Sequence, residues 1–332
     1  MTTRLHLNEN LFTYADSPVL AGLVNHINET SLYSDMEYKE LKEVLADWLG
    51  FHENQLVLGN GSSELIQRIY MDYLGENGKA IYPWPSYVLY SELENIHGSP
   101  ACRVPLDRNY KVDLQAIVDH INRETMLIIL CNPNNPTGTV FTSKELNEFM
   151  SKVPDNVLVL VDEAYMDYVP NNKEYTALTL VNQWSNLLVV RSFSKLYGLA
   201  SLRMGFAVGT EETASWLQSK LPNWNINRIA EAAAKSCLEH LTYFNQVRDQ
   251  VHLERVWVYE QLSQLGYKAV PTLTNFIYVW DTESWLQSML EQHGIKVKRL
   301  IESDCEAIRI TIGRRQENEL LINALKLLVS RR

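Results

Sequence analysis

The side chains best suited to chemistry lie in residues 191–205, which read RSFSKLYGLASLRMG and follow an apolar run typical of a buried strand. Two hydroxyl residues, Ser192 and Ser194, come just before Lys195, and Arg203 follows the lysine by eight positions. A lysine amine can form a Schiff base with an aldehyde, while hydroxyl and guanidinium groups can hold a phosphate. The cofactor pyridoxal phosphate requires both functions, so this segment predicts a pyridoxal phosphate site.

Two other interpretations of the lysine remain open at this point. Ser192 and Lys195 also match the S-x-x-K motif of penicillin-recognising acyl transferases. That chemistry also uses S-D-N and K-T-G elements, and the chain contains neither. A lysine near a strand end can also be an ordinary solvated surface group. The rest of the sequence has to decide between these alternatives.

A second candidate for phosphate binding is the turn Gly61-Ser62-Ser63. It follows a strand-like segment and precedes apolar residues at helical spacing. The N-terminus of a helix presents free N–H groups and the positive end of the helix dipole to an anion. The dinucleotide-binding pattern G-x-G-x-x-G fails, because Glu64 stands where the third glycine belongs. A plain turn between strand and helix is the alternative.

Two further apolar runs, at 126–130 and 157–161, predict strands that are buried on both faces. The first leads into residues 132–138, N-P-N-N-P-T-G, which contain Asn135, and the second ends at Asp162. Ligands of open α/β sheets bind at the carboxyl ends of the strands. A carboxylate buried there needs a cation, although Asp162 could instead cap a helix. The sequence thus predicts that several strand ends converge on one ligand.

Taken together, these motifs resemble the fold-type I aminotransferases that use pyridoxal phosphate, in particular the histidinol-phosphate aminotransferase branch. The resemblance rests on S-x-S-K-x-x-G-L-x-x-x-R-x-G at 192–205, N-P-N-N-P-T-G at 132–138, N-E-N at 8–10 and R-I-T-x-G at 309–313, and it covers nearly the whole chain. At Trp224, the chain matches the related threonine-phosphate decarboxylases better than it matches the histidinol-phosphate aminotransferases.

The resemblance implies a role for each matched residue. Lys195, Asp162 and Tyr165 are the expected catalytic residues: Lys195 carries the cofactor and moves the proton, Asp162 pairs with the ring nitrogen, and Tyr165 and Asn135 reach the phenolic oxygen. Tyr87 stacks on the ring, with Tyr90 as a second candidate. The expected phosphate ligands are Gly61, Ser62, Ser63, Ser192, Ser194, Arg203 and, from a neighbouring subunit, Tyr33. The expected substrate-binding residues are Arg309, Asn10, Asn227, Lys298 and Arg299.

Composition excludes several classes of function. The chain has 332 residues, a net charge of −10 and a pI near 5.4, which argues against non-specific nucleic-acid binding. Its four cysteines are scattered and form no C-x-x-C, so we expect neither a metal site nor a disulfide framework. No apolar run approaches the roughly 18 residues of a membrane span, and the N-terminus lacks a signal-peptide core. We expect a cytoplasmic protein.

We therefore expect an α/β fold in which a large domain, 34–238, carries a mostly parallel sheet between helices. The arm 1–33 and residues 239–332 form a small α+β domain, and the shared tyrosine implies a homodimer. The expected reaction transfers an amino group between an amino-acid-like amine, such as histidinol phosphate, and a 2-oxo acid. Decarboxylation or another carbanion reaction remains an alternative, as does cofactor binding without turnover.

Overall fold

The computed structural model describes residues 2–12, 17–75, 78–281, 285–301 and 306–329. The strands are β1 (Thr3–Leu5), β2 (Leu56–Gly59), β3 (Lys79–Trp84), β4 (Ala101–Pro105), β5 (Thr125–Cys131), β6 (Leu158–Asp162), β7 (Leu187–Ser192), β8 (Gly205–Val208), β9 (Phe276–Trp280), β10 (Ile295–Ile301) and β11 (Glu306–Thr311). The helices are α1 (Pro18–Ile27), α2 (Lys39–Leu49), α3 (Ser62–Tyr73), α4 (Val88–His97), α5 (Leu114–Asp119), α6 (Ser143–Met150), α7 (Glu211–Gln218), α8 (Arg228–Glu239), α9 (Leu241–Gln264), α10 (Leu286–Gln292) and α11 (Arg315–Val329).

The larger sheet has seven strands in the order β2-β8-β7-β6-β5-β3-β4. Strand β8 runs antiparallel to both of its neighbours, and the other strands run parallel to one another. The predicted α/β fold with a mostly parallel sheet is therefore confirmed. None of the helices in the described residues is both long enough and apolar enough to cross a membrane.

The central strands are buried on both faces because helices cover both sides of the sheet. Alternate residues of β5 enter opposite halves of the core: Leu127 and Ile129 pack on the side of α3 and α4, whereas Ile128 and Leu130 pack on the side of α6. This double burial explains why the strands read as unbroken apolar runs in the sequence. It also leaves their carboxyl ends as the positions where polar side chains can collect.

The smaller sheet has four strands in the order β1-β10-β11-β9. Strand β1, near the N-terminus, pairs in parallel with β10, and the remaining pairs are antiparallel. One face of this sheet packs its aliphatic residues with those of α9 and α11. On the other face the register sets Lys298 opposite Arg309, and Arg309 opposite Tyr278, in one row across three strands.

Helix starts follow the local sequence signals. A capping box opens α6: the Glu145 N–H donates to Thr142 Oγ1, and the Thr142 N–H donates to the Glu145 carboxylate. Helix α3 begins directly after Gly61, as the turn at 59–63 predicted. The helical stretch after the larger sheet is divided into α8 and α9 at His240.

Candidate active site

A cavity of about 120 Å³ lies where the carboxyl ends of β5, β6 and β7 meet the N-terminus of α3. Its walls include most of the residues that the sequence singled out. These are Ser62, Ser63, Tyr87, Asn135, Asp162, Tyr165, Ser192, Ser194, Lys195 and Arg203. Cys131, Ala164 and Ala200 also line it. Residues more than 130 positions apart in the chain thus meet at one edge of the sheet, as the parallel topology requires.

One end of the cavity is formed by hydroxyl groups around the Arg203 guanidinium. One guanidinium nitrogen of Arg203 donates to Ser63 Oγ at 2.7 Å, and the other donates to Ser194 Oγ at 3.3 Å. The Ser194 N–H in turn donates to Ser192 Oγ at 3.1 Å. The first N–H groups of α3, at Ser62 and Ser63, have no carbonyl one turn earlier to accept from them. This end therefore offers a dense set of donors.

Gly61 makes room for that guanidinium. It has φ +81° and ψ 160°, a conformation that is almost confined to glycine. A Cβ atom on this residue would lie 2.9 Å from Cζ of Arg203 and still closer to one of its nitrogens. The absence of a side chain at this position is thus what lets the turn and the arginine share one wall of the cavity.

The other end of the cavity holds a buried carboxylate. Asp162 is only 2% exposed, and its Oδ1 accepts the Ala164 N–H at 3.0 Å. Its Oδ2 accepts from the Tyr90 hydroxyl at 2.9 Å. Burial raises the pKa of this carboxyl, whereas the two hydrogen bonds and the nearby Lys195 act against that rise. Asp162 caps no α-helix, because 3₁₀ turns and loops follow β6 up to residue 186.

Lys195 lies between these two ends, with its Nζ 5.1 Å from the centre of the Tyr165 ring. Burial, and next the positive charge of Arg309, lower the pKa of its amine to about 8. Asp162 acts in the opposite direction, and Arg203 adds to the lowering. A lysine amine with a pKa near neutrality exists partly as the free base, the form that can attack a carbonyl or accept a proton.

Arg309 reaches from the smaller sheet to Asn135, a residue of the cavity wall. Its guanidinium donates to Asn135 Oδ1 at 2.5 Å and to the carbonyl of His6 at 3.0 Å. It also lies over the Phe276 ring, at 5.5 Å from the ring centre. Asn135 therefore uses its oxygen on the arginine, and its Nδ2 group remains as its donor towards the cavity.

The N-terminal arm ties the two sheets together at this point. Asn8 donates from Nδ2 to the Tyr165 hydroxyl at 2.9 Å, and its N–H donates to Thr311 Oγ1 at 3.0 Å. Asn10 donates to the carbonyl of Leu196 at 2.5 Å. Asn10, expected to bind substrate, is thus engaged with the backbone just after Lys195. Asn8, the first residue of the N-E-N motif, had no expected role, yet it contacts a cavity residue directly.

Two other expected site residues, Asn227 and Tyr33, lie elsewhere. Asn227 caps α8 by accepting the Ala230 N–H at 2.8 Å, and it donates to the carbonyl of Leu202 at 3.1 Å, so both of its polar groups are engaged outside the cavity. Tyr33 is 79% exposed and packs against Trp224, with ring centres 5.1 Å apart. It does not line the cavity of its own chain among the described residues.

Lys298 and Arg299, which are adjacent in β10, point to opposite faces of the smaller sheet. Lys298 is exposed and shares a cross-strand pair, and therefore a face, with Arg309. Arg299, the next residue, turns to the other face and forms an ion pair with Glu306 at 3.1 Å. Alternation along the strand therefore places only Lys298 on the face of Arg309, whereas Arg299 is engaged with Glu306 on the other face.

Sequence patterns alone also did not reveal a buried ion pair behind the cavity. Arg191 and Glu163, each the neighbour of a site residue, meet at 2.8 Å and are almost fully buried, and Asp167 lies 3.1 Å from the same guanidinium. The available signal was a charged residue at the end of an apolar strand, which requires a partner when it is buried.

The charges in the cavity match those of pyridoxal phosphate. Within the described part of the chain, no ion pair joins Arg203 to a carboxylate or Asp162 to a basic side chain at salt-bridge distance. The cavity thus has an uncompensated cation among hydroxyl groups at one end and a buried anion at the other. A molecule with a phosphate and a protonated pyridine nitrogen is complementary to both ends.

Comparison with known proteins agrees with this geometry. The family model for aminotransferase class I and II matches residues 3–325. An aromatic amino acid aminotransferase of Cutibacterium acnes is 33% identical, covering 97% of this chain and 91% of the relative. Histidinol-phosphate aminotransferase 2 of Carboxydothermus hydrogenoformans is 32% identical, covering 98% and 91%. The crystal structure of histidinol-phosphate aminotransferase from Sinorhizobium meliloti in complex with pyridoxal-5'-phosphate matches with TM-score 0.92 and 26% identity, covering 100% of this chain and 91% of that one.

Proposed function

This chain belongs to the aminotransferase class I and II family, and on that premise we propose that it transfers an amino group from a phosphorylated amine to a 2-oxo acid. It is a pyridoxal-phosphate-dependent aminotransferase of fold type I. Histidinol phosphate, the substrate in the names of several relatives, is the first amine to test. The observation that carries the proposal is the convergence of Lys195, Asp162 and the Arg203 cradle on one cavity beneath Arg309.

We assign each end of the cavity to one part of the cofactor. Arg203, Ser63, Ser194 and the N-terminus of α3 hold the phosphate, and Asp162 pairs with the ring nitrogen. When bound, pyridoxal phosphate supplies an electron sink for negative charge that develops at the substrate Cα. Tyr87 lies against the ring, supported by its place in the cavity wall.

Lys195 moves the proton in this scheme. With a pKa near 8, its amine can accept the proton from the substrate Cα at neutral to mildly alkaline pH and then return it. Arg309 orients the substrate by pairing with its anionic group. In the structure the Arg309 guanidinium donates a hydrogen bond to Asn135 Oδ1. A substrate anion that binds Arg309 would take the place of this amide oxygen, and Asn135 could then form other hydrogen bonds.

The row of basic residues on the small sheet supports an amine that carries an anion. Lys298 and Arg309 are cross-strand partners on the face that Arg309 directs towards the cavity. Two adjacent cations favour a phosphate or a second carboxylate over an uncharged side chain. A lysine supplies charge without the fixed fork of an arginine, so Lys298 should tolerate more than one position of the anion.

The proposal is tested by incubating the purified protein with pyridoxal phosphate, histidinol phosphate and 2-oxoglutarate and measuring glutamate. Aromatic amino acids serve as alternative donors, and release of carbon dioxide without consumption of the 2-oxo acid would reveal a decarboxylase. Glutamate that forms fastest with histidinol phosphate supports the proposal. A preference for aromatic donors, or carbon dioxide release, would replace it.

Lys298 and Arg299 form a matched pair of positions for testing the anion site. Lys298→Ala should raise KM for the phosphorylated amine by about tenfold, the value of roughly 1.4 kcal/mol expected for one charge-assisted contact. Arg299→Ala removes an equal charge from the opposite face and should leave KM within about twofold. Equal effects of the two substitutions would mean that the overall charge, and not the site, controls binding.

We also propose that the protein is a homodimer whose partner supplies Tyr33. The exposed face of α1 carries apolar side chains, with Val24 63% exposed, and Tyr33 and Trp224 form a second exposed aromatic pair. Several large apolar side chains exposed in this way are typical of a protein interface. Helix α1 packs on α8, which lies beside the cavity segment around Arg203.

Subunit mixing tests the shared site. Tyr33→Asp and Lys195→Ala should each be inactive, and a mixed dimer should recover activity, because one of its two sites combines an intact Tyr33 with an intact Lys195. Each variant mixed with itself is the control. An active monomer in sedimentation, or no recovery after subunit exchange, would contradict the proposal.

Two further assignments complete the proposal. We divide the chain into an arm at 1–33, a large domain at 34–238 and a small domain at 239–332, supported by the separate sheets and by the pairing of β1 with β10. We assign the protein to the cytoplasm, supported by free thiols at Cys102, Cys131 and Cys237, the pattern of a reducing compartment. Cys305 lies outside the described residues.

A further inference from the structure

Tyr90 stands directly behind the carboxylate of Asp162. Its side chain is fully buried, and its hydroxyl donates to Asp162 Oδ2 at 2.9 Å. The other oxygen of that carboxylate accepts the Ala164 N–H at 3.0 Å. Each oxygen of Asp162 thus has one donor from the protein, which fixes the plane of the carboxylate.

The same tyrosine also supports Tyr87. The two rings meet edge to face, with centres 5.7 Å apart and planes at 82°. The Tyr90 N–H donates to the Tyr87 carbonyl at 3.0 Å, across the first turn of α4. Tyr87 lines the cavity, whereas Tyr90 lies behind it. The sequence offered Tyr90 as a second candidate for stacking on the ring, but among the described residues it is Tyr87, and not Tyr90, that lines the cavity.

We propose that Tyr90 is a positioning residue that holds Asp162 in place for the cofactor's ring nitrogen and Tyr87 in place for the face of the ring. This inference rests on the proposed function, since it assigns those two contacts to the cofactor. One side chain then controls both contacts to the ring, through a hydrogen bond on one side and an aromatic edge on the other.

The hydroxyl has an electrostatic consequence as well as a geometric one. A buried carboxylate stays ionised only when donors compensate for the loss of water. The Tyr90 hydroxyl is one of the groups that act against the rise in the pKa of Asp162 caused by burial. Without it, Asp162 should hold a proton more readily and share less negative charge with the ring nitrogen.

The test is Tyr90→Phe, with Tyr82→Phe as the matched control. Tyr82 is also buried, its ring centre lies 5.9 Å from that of Tyr90, and its hydroxyl donates to Glu94 instead of Asp162. In the apoprotein, carbon-13 NMR of labelled aspartate should show a higher pKa for Asp162 in Tyr90→Phe than in wild type or Tyr82→Phe. This titration needs no cofactor, so it decides the Tyr90 contact even if the proposed function fails.

In the holoenzyme, nitrogen-15 NMR of ring-labelled pyridoxal phosphate should show a less protonated ring nitrogen in Tyr90→Phe alone. The same variant should lower kcat by about 10- to 100-fold, as expected when a hydrogen bond to a charged group is lost. Unchanged aspartate titration and unchanged nitrogen shift in Tyr90→Phe would overturn the proposal and leave Tyr90 as a packing residue.

A second variant guards against misfolding of Tyr90→Phe. Fluorotyrosine at position 90 keeps the ring and the hydroxyl but makes the hydroxyl a stronger donor. It should lower the pKa of Asp162 and make the ring nitrogen more protonated, the opposite of the change expected for phenylalanine. No change in either quantity would also overturn the proposal.

Discussion

Gly61→Ala is the substitution whose consequences the structure defines most closely. Gly61 sits at φ +81° and ψ 160°, and a Cβ there would lie 2.9 Å from Cζ of Arg203. The added methyl group must displace the guanidinium, which now bonds Ser63 and Ser194. The substitution therefore strains the turn and also disturbs the proposed phosphate site.

These two effects appear in different measurements. The backbone strain destabilises the apoprotein by about 1–3 kcal/mol, the range for a residue forced into a conformation reserved for glycine. Displacement of the arginine weakens a charge-assisted contact of about 1.5–3 kcal/mol. The second effect should raise Kd for pyridoxal phosphate by about 10- to 100-fold, at roughly 1.4 kcal/mol per factor of ten.

Urea unfolding of the apoprotein measures the first effect, and an absorbance titration with pyridoxal phosphate measures the second. Gly50→Ala is the control, because Gly50 has φ +75° at the end of α2 and, beyond its own chain neighbours, no atom of the described residues lies within 4 Å of an added Cβ. It should lose about 1 kcal/mol of stability and keep its affinity for the cofactor. If Gly61→Ala binds the cofactor as wild type does, the close approach of Arg203 has no role in phosphate binding. If Gly50→Ala loses affinity equally, stability alone explains the effect.

Three further outcomes are expected. Lys195→Ala should abolish turnover and the visible absorbance of the lysine-bound cofactor, whereas Lys144→Ala, at an exposed lysine, should change neither. The pKa of Lys195 is about 8 in the folded apoprotein and near 10.5 in the unfolded chain, so between these pH values the unfolded chain binds more protons. The Lys195 contribution to the free energy of unfolding should therefore rise from pH 8 to 10.5. A difference in unfolding free energy between wild type and Lys195→Ala that does not change with pH would contradict this. Arg191→Met leaves Glu163 buried without its main cation and should lower the unfolding free energy by about 3–5 kcal/mol in calorimetry or urea titration. A loss of less than 1 kcal/mol would show that Glu163 is neutral in the native protein.

The parts of the site that could be predicted from sequence are those fixed by strand ends. Asn135, Asp162 and Lys195 each follow an apolar run, and the carboxyl ends of parallel strands must lie at one edge. Gly61 could be added because a glycine before a helix is a local signal. In each case, a short stretch of chain determines where the side chain lies, so distant contacts are not needed to locate it.

For other residues, the position in the fold depends on strand pairing or on competing hydrogen bonds that no local pattern contains. Arg299 and Lys298 are adjacent, and only the register of β10 with β11 decides which one faces the cavity. Asn227 matches a motif position, yet its side chain caps the N-terminus of α8 by accepting the Ala230 N–H. The hydrogen bond from Tyr90 to Asp162 depends on how closely α4 packs against β6, which the sequence does not show.

The charges around Lys195 indicate how one amine can serve both as a base and as an acid. In the structure, burial and the cations Arg309 and Arg203 lower the pKa of the amine, and Asp162 acts against them. An anion held at Arg203, and then a substrate anion at Arg309, each neutralise one of the cations that keep the amine uncharged. The amine should therefore accept a proton more readily with both anions in place than it does in the apoprotein. In the proposed reaction it takes the proton from the substrate Cα and returns it while the substrate is bound, so partial compensation of the two cations favours a pKa at which both transfers can occur.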